Sequence, residues 1–159
     1  MDKKQLVQMI LDKAETERQA LAQAARNTYE AATHEESEAE DQYDTRGLEA
    51  SYLAGAQAKR VGELEQFILL LKFLEPKSFA KTEPISATAL IELDHEGKAV
   101  WAFLLPQGGG MSVEFEGHHV QIVTPRSPLG EALITRRAGD LALVDTGKET
   151  HEYEIISVR

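Results

Sequence analysis

The first half of the chain repeats apolar residues at a spacing of three and four, the period of an α-helix with one buried face. The pattern stops in a polar stretch and resumes at Arg46. Two such helices bury their stripes most simply as an antiparallel hairpin, packed as a coiled coil. The stripe positions are Leu6, Ile10, Ala14, Leu21, Ala24 and Ala31, then Ala50, Leu53, Gln57, Val61, Leu64, Ile68, Leu71 and Leu74.

The second half alternates apolar and polar residues, which is the period of β-strands. SATALIEL and AVWAFLLP flank the turn DHEGK and predict a hairpin, and LALVDT and HEYEIISV predict a second one across TGKE. SVEFEG and HVQIVTP are further strand candidates, separated from AVWAFLLP by the loop PQGGGMS. In SPLGEALI, Ser127 is suited to cap a short helix whose first residue is Pro128. These elements predict a small antiparallel sheet with one helix.

Proline marks a boundary between the two halves. Residues 1–75 contain no proline, whereas EPKSFAKTEP carries two in a polar setting. We therefore predict a helical hairpin over residues 1–75, a linker over 76–85 and a sheet domain over 86–159, which makes the fold class α+β.

Composition narrows the function. The chain has 159 residues, 27 acids against 17 bases, a formal charge of −10 and no cysteine. No cluster of Lys and Arg is present to neutralise nucleic-acid phosphates. The absence of cysteine excludes catalysis by a thiolate and zinc sites with cysteine ligands. Neither a signal peptide nor an apolar run long enough for a membrane is apparent. We therefore expect a cytoplasmic protein that does not contact membranes.

The break between the two helical patterns is unusually acidic. EESEAEDQYD carries six carboxylates in ten positions and no Lys or Arg. Such a run is often just a solvated surface, but the hairpin places this one at its far end, near residues 33–46. Closely spaced carboxylates also suit Mg²⁺, which prefers oxygen ligands. The candidate functional carboxylates are Glu36, Glu38, Glu40 and Asp41.

Two other groups of residues favour structural roles. His118 and His119 are adjacent on a predicted strand, so their side chains face opposite ways and do not converge on one metal. Trp101, Phe103, Phe115 and Tyr153 stand at strand spacing and are expected in the core.

The order of these parts resembles the GreA/GreB family of bacterial transcription elongation factors over essentially the whole chain. IVTPRSPLGEALITRRAGDLALV followed by HEYEIISV is similar to the C-terminal domain of the family, which is FKBP-like in fold. AATHEESEAEDQYDTRG resembles the segment at the tip of the hairpin, and VGELEQFI resembles the close of the second helix.

The resemblance implies a function. The C-terminal domain would dock on RNA polymerase, with Ser127, Pro128 and Leu129 as binding residues, and the hairpin would enter the secondary channel. The tip carboxylates would then help to hold a catalytic Mg²⁺ jointly with the polymerase, Glu36 and Glu40 being the candidate ligands, so that backtracked RNA is cut. The chain would be an accessory factor and no enzyme in itself. It would be a monomer that contacts nascent RNA only indirectly.

The tip also supports an alternative. When the segments are aligned on Tyr43, Glu36 falls on the first tip acid of the family, but Ala39 falls on the second. The alternative is therefore a regulator or inhibitor that enters the channel without stimulating cleavage, in the manner of DksA-like proteins. A third hypothesis, a proline isomerase or peptide-binding module, rests on the FKBP-like fold alone.

Overall fold

The computed structural model describes residues 1–33 and 46–159. They form two compact units, one comprising Met1–Ile10 with Leu74–Arg159 and the other Leu11–Phe73. We call them the sheet unit and the hairpin unit. The predicted linker over residues 76–85 begins close to Leu74, where the chain enters the sheet unit.

Two long helices supply the hairpin unit. Helix α1 spans Lys3–Thr33, with its first residues in the sheet unit, and α2 spans Arg46–Phe73. Asp2 caps α1, because its Oδ1 accepts a hydrogen bond from the Lys4 backbone N–H at 2.9 Å. At about 1.5 Å per residue, the 28 residues of α2 extend about 42 Å.

Ion pairs between the two helices run in opposite chain directions. Their members are Glu15 with Lys72 at 3.0 Å, Arg18 with Glu65 at 3.8 Å and Glu17 with Arg60 at 3.5 Å. Glu15, the first of the three on α1, meets the last position on α2, whereas Glu17 and Arg18 meet earlier positions on α2, as the predicted antiparallel hairpin requires. Leu53, predicted on the buried stripe, is instead 54% exposed, and the neighbouring Ala54 is buried. A two-helix hairpin covers each helix on one side only. Because neighbouring residues on a helix point about 100° apart, Leu53 faces solvent when Ala54 faces the partner helix.

The sheet unit contains six strands and one short helix. The strands are β1 Leu90–His95, β2 Lys98–Leu104, β3 Ser112–Phe115, β4 His118–Val123, β5 Leu141–Asp145 and β6 Thr150–Val158, and helix α3 is Pro128–Leu133. Their order in the sheet is β3-β4-β2-β1-β6-β5. The predicted α+β class, the single short helix and the β1–β2 and β5–β6 hairpins are confirmed.

The sheet is mixed, which corrects the prediction of a wholly antiparallel one. β4 pairs with β2 in parallel, whereas the other neighbouring strands pair antiparallel. The reason lies in the connection after β2, which carries the chain past the place of β4 to the outer strand β3. The tight turn at Glu116 and Gly117 then returns β4 between β3 and β2, in the direction of β2.

One apolar core lies on the face of the sheet that α3 covers. Its buried members come from the strands, from α3 and from the segment before β1; they are Ile85, Ala89, Ile91, Leu93, Ala102, Leu104, Val123, Leu133, Ala142, Ile155 and Val158. Of the aromatic residues predicted in the core, Trp101, Phe103 and Phe115 are buried, whereas Tyr153 is partly buried.

Lys3 joins three separate segments of the sheet unit. Its Nζ donates to the carbonyl oxygens of Thr88 at 3.0 Å and Arg159 at 2.9 Å, and also to that of Lys77. The ammonium lies 4.8 Å from the centre of the Phe79 ring. Burial, and secondarily the charge of Lys77, lower the pKa of Lys3 to about 8.

Candidate functional site

The predicted tip carboxylates lie outside the described residues. Glu36, Glu38, Glu40 and Asp41 all fall between Thr33, where α1 ends, and Arg46, where α2 begins. Both helices of the hairpin unit therefore lead to the acidic segment. The functions assigned to these four residues, including Mg²⁺ binding by Glu36 and Glu40, stay predictions.

A shallow groove lies between α1 and α2 on the approach to the acidic segment. Its volume is about 420 Å³, and its lining consists mostly of small side chains: Ala25, Arg26, Tyr29, Ser51, Ala54, Gly55 and Ala58. Four larger apolar side chains in this half of the hairpin unit are strongly exposed, namely Tyr29, Leu48, Tyr52 and Leu53. This half of the hairpin thus presents apolar surface to solvent and buries little.

The start of α3 holds the three predicted polymerase-binding residues. Ser127 caps the helix as predicted, since its Oγ accepts a hydrogen bond from the Gly130 N–H at 3.1 Å and donates to the Thr124 carbonyl oxygen at 2.8 Å. Leu129 is half-buried and packs against the core. Pro128 is exposed. The side chain of Ser127 is therefore used for folding, and Pro128 offers the open surface of the three.

Gly130 explains why the reciprocal capping box is absent from SPLGEALI. A Cβ on Gly130 would lie 1.9 Å from the carbonyl oxygen of Thr124, which is far inside van der Waals contact. A Glu or Gln cannot occupy this position, so Ser127 alone supplies the cap. The close approach holds the TPRS turn against the helix and fixes the direction of Pro128.

A cleft beside Pro128 was not predicted from the sequence. It has a volume of about 330 Å³ and lies between α3 and β5, lined by Arg126, Pro128, Glu131, Ala132, Leu143, Val144 and Asp145. The sequence does hold a signal for it. The alternation in LALVD turns Leu141 and Leu143 away from the buried Ala142 and Val144, and no further strand candidate was available to cover them.

The histidines do not converge in the described part of the chain. His118 lies against Trp101, with ring centres 5.0 Å apart, and His119 Nδ1 lies 2.6 Å from Glu114 Oε1. His95 stacks on Tyr153 at 4.5 Å and meets His151 edge-on at 5.4 Å. Within residues 1–33 and 46–159, no group of three or more His, Cys, Asp or Glu is placed to hold a metal ion. No helix in these ranges is long and apolar enough to cross a membrane.

Comparison of the sequence with known proteins finds relatives named Gfh1. No protein-family model matches the chain. It is 27% identical to the transcription inhibitor protein Gfh1 of Thermus thermophilus, over 94% of this chain and 90% of the relative, and equally similar to the Gfh1 of a second strain of that species.

Solved structures named Gfh1 and GreA/GreB also match the chain. The crystal structure of GreA factor homolog 1 (Gfh1) of Thermus thermophilus matches 96% of this chain and 94% of its own, at 22% identity and a TM-score of 0.38. Gfh1 of Thermus aquaticus matches 96% and 92%, at 23% and 0.39, and GreA/GreB of Nitrosomonas europaea matches 70% and 91%, at 14% and 0.36. Because Gfh1 is named as a GreA homologue, the sequence match to it confirms the predicted resemblance to the GreA/GreB family.

Proposed function

We propose that this GreA/GreB-like chain is a transcription factor that binds RNA polymerase and inhibits it from the secondary channel. The observation that carries the proposal is the similarity to a transcription inhibitor protein over 94% of the chain, across both the hairpin unit and the sheet unit. Stimulation of RNA cleavage, which the sequence analysis put first, becomes the second candidate function.

The hairpin unit is suited to enter a channel. A pair of antiparallel helices is narrow, and α2 alone extends about 42 Å over its 28 residues. The acidic segment that connects the helices would be carried to the inner end. There its carboxylates would meet the divalent cations of the polymerase active centre, which prefer oxygen ligands.

The sheet unit would remain at the channel entrance. Pro128 gives this unit an exposed surface of fixed geometry, because the Ser127 cap and the close packing of Gly130 hold the start of α3. We assign polymerase docking to this surface, with Pro128 in contact and with Ser127 and Leu129 holding it in place.

The test is RNA synthesis by purified bacterial polymerase with and without the chain. We expect slower extension, and relief when a cleavage-stimulating factor competes for the same channel. Replacing three tip acids together (Glu36→Ala, Glu38→Ala and Glu40→Ala) should weaken inhibition while polymerase binding persists. Glu30→Ala is the matched control, since it removes an exposed carboxylate from α1 before the tip. Unchanged synthesis at saturating binding would refute the inhibitory role.

Cleavage stimulation is the second candidate, and the position of Glu36 favours it. Its assay adds the chain and Mg²⁺ to backtracked complexes and follows shortening of the RNA. If RNA shortens with the wild-type chain and not with the triple variant, the cleavage role replaces the inhibitory one. If the chain fails to bind polymerase, both roles are excluded.

A further inference from the structure

Strand β5 is an edge of the sheet, and its outer side has free pairing capacity. It pairs with β6 and with no other strand in the described residues. The backbone bonds to β6 are recorded at both ends of β5: Gly139 N to Ile155 O at 2.7 Å, Ile155 N to Asp140 O at 2.9 Å and Thr146 N to Glu149 O at 3.0 Å. Because antiparallel bonds alternate along a strand, Leu141, Leu143 and Asp145 direct their N–H and C=O groups to the open edge.

The side chains on this edge are unusual for an unpaired strand. Exposed edges are normally protected by lysine, proline or other features that discourage pairing. β5 instead shows solvent two leucines, Leu141 at 48% and Leu143 at 59% exposure, and it contains no Lys, Arg or Pro. An apolar edge with open backbone groups is a template for another strand.

The cleft between α3 and β5 opens along the same edge. Side chains of a strand added to β5 would alternate between the two faces of the extended sheet. On one face they would lie beside Leu141 and Leu143. On the other face they would enter the cleft of about 330 Å³, which is bounded by Pro128 and Val144. A helix beside an edge strand is the arrangement by which several peptide-binding domains accept an extended segment.

The charges around the edge select the partner. Asp140 precedes β5 and Asp145 is its last residue, and Glu154 and Glu152 of β6 stand opposite Leu141 and Leu143. In the cleft, Glu131 and Asp145 outnumber Arg126. A second copy of this chain would bring the same carboxylates against these, whereas a basic segment would complement them.

We propose that the open edge of β5 is a docking site for an extended segment of a partner protein, with alternating apolar and Lys or Arg residues, which pairs as a seventh strand. Its apolar side chains enter the cleft beside α3, and its basic side chains lie on the face that carries Glu152 and Glu154. The site is formed by the sheet unit alone, so it stands whether or not the chain acts on RNA polymerase.

A synthetic peptide, Lys-Val-Lys-Phe-Lys-Val-Lys, is the probe, titrated into the full chain labelled with ¹⁵N. We expect the largest amide shifts at Leu141, Leu143 and Asp145, together with slower hydrogen exchange at these three amides. The same peptide with Glu in place of Lys should not bind.

Leu143→Lys and Ile156→Lys form the decisive pair. Both introduce one lysine at an exposed apolar position, Ile156 being 47% exposed, but Ile156 lies on the inner strand β6. Leu143→Lys should weaken binding about tenfold or more by repulsion and lost apolar contact, and Ile156→Lys should leave it within about twofold. Leu143→Pro removes an outward N–H without breaking a bond to β6 and should also weaken binding about tenfold. Trp101 fluorescence checks that each variant is folded.

Three results would overturn the proposal. Equal loss in Leu143→Lys and Ile156→Lys would place the peptide on the face of the sheet and not at its edge. Binding that Leu143→Lys and Leu143→Pro leave intact would be unspecific charge attraction. A self-association that Leu143→Lys abolishes, with no peptide binding, would assign the edge to a second copy of the chain.

Discussion

The sheet unit and the hairpin unit bury their apolar residues very differently. In the sheet unit, β1 and β2 contribute residues with no exposure at all, such as Leu93, Phe103 and Leu104. In the hairpin unit, buried apolar residues cluster in residues 11–14 and 64–71. Among the described residues 15–33 and 46–63, Ala54 is the one buried apolar residue. Half of the hairpin is therefore held by helix propensity, small-residue contacts and surface ion pairs, which contribute little individually.

This difference fits the roles that we propose for the two units, docking for the sheet unit and entry into the channel for the hairpin unit. A unit that docks on a partner benefits from a fixed surface, and the buried core behind α3 supplies one. A unit that enters a narrow space must have a small cross-section. Two helices have that small cross-section, but each residue then has too few neighbours to be fully buried. Stability is thus concentrated away from the acidic segment, and opening of the far half of the hairpin should cost the least free energy in the described chain.

The largest contrast is expected from adding one methyl group to a glycine in each unit. Gly130→Ala in the sheet unit puts a Cβ 1.9 Å from the Thr124 carbonyl oxygen, so α3 must shift, and the unit should lose more than about 3 kcal/mol. Gly62→Ala in α2 meets nothing within 4 Å and should stabilise the helix by about 1 kcal/mol. Denaturant unfolding followed by Trp101 fluorescence reports the first, and far-ultraviolet circular dichroism reports the second. Equal effects would mean that α3 relaxes freely.

Truncating a leucine in each unit should separate them again by a smaller margin. Leu93→Ala empties a fully buried position and should cost about 2–5 kcal/mol in the sheet unit. Leu53→Ala removes a side chain that is 54% exposed, and the free energy of unfolding of the hairpin unit should change by no more than about 0.5 kcal/mol. Hydrogen exchange of amides in each unit measures both. A large loss for Leu53→Ala would show that the far half of the hairpin depends on this side chain.

Much of the fold, but not all of it, could be predicted from the sequence. Periods of 3.6 and 2 correctly assigned both long helices and the strands of the sheet, and the Ser-Pro pair correctly assigned the cap at Ser127, because these are set by local sequence. The neighbour of each strand is set by chain routing, so the parallel β2–β4 pair was missed. The exposure of Leu53 was missed because period alone does not say how wide a stripe the partner helix covers.

The site was predictable to a lesser extent. Pro128 was identified from its motif, but its exposure and the adjoining cleft depend on where β5 lies relative to α3. Leu143 carries an alternation signal but no chemical one, and it becomes informative only when β5 proves to be an edge strand. The assignment of Glu36 and Glu40 as Mg²⁺ ligands lies outside the described residues and stays a prediction.

Removing a polar atom should strengthen the weaker unit. The Oε1 atom of Gln57 is buried in α2 and has no hydrogen-bond partner among the described residues. Leaving an acceptor unsatisfied costs about 1–3 kcal/mol, so Gln57→Leu should stabilise the hairpin unit by roughly 1 kcal/mol. Gln57→Glu should act in the opposite direction, since it would bury a charge. Thermal unfolding followed by circular dichroism compares the three chains, and a destabilised Gln57→Leu would show that the amide has a partner in solution.

The smallest expected effect concerns Lys3, and it should be confined to the sheet unit. The pKa of Lys3 is about 8 in the folded chain and close to 10.5 in the unfolded one. Between these values the unfolded chain binds a proton that the folded chain does not, so the Lys3 contribution to stability should rise with pH from about 8 to 10.5. Below pH 8 both states are protonated and the contribution is constant.

Lys3→Met tests this dependence, because methionine keeps the apolar stem and removes the titrating group. The difference in free energy of unfolding between wild type and Lys3→Met, followed by Trp101 fluorescence, should be flat below pH 8 and shift in favour of wild type above it. Lys13→Met, on α1 within the hairpin unit, is the control for the loss of a lysine outside the sheet unit. A difference that stays flat up to about pH 10.5 and falls beyond it would mean that the three carbonyl acceptors outweigh burial and hold Lys3 charged. In that case the start of α1 would be held within the sheet unit by a charged hydrogen-bonding group. Both units would then rely on charged contacts, and they would differ only in how much apolar surface they bury as well.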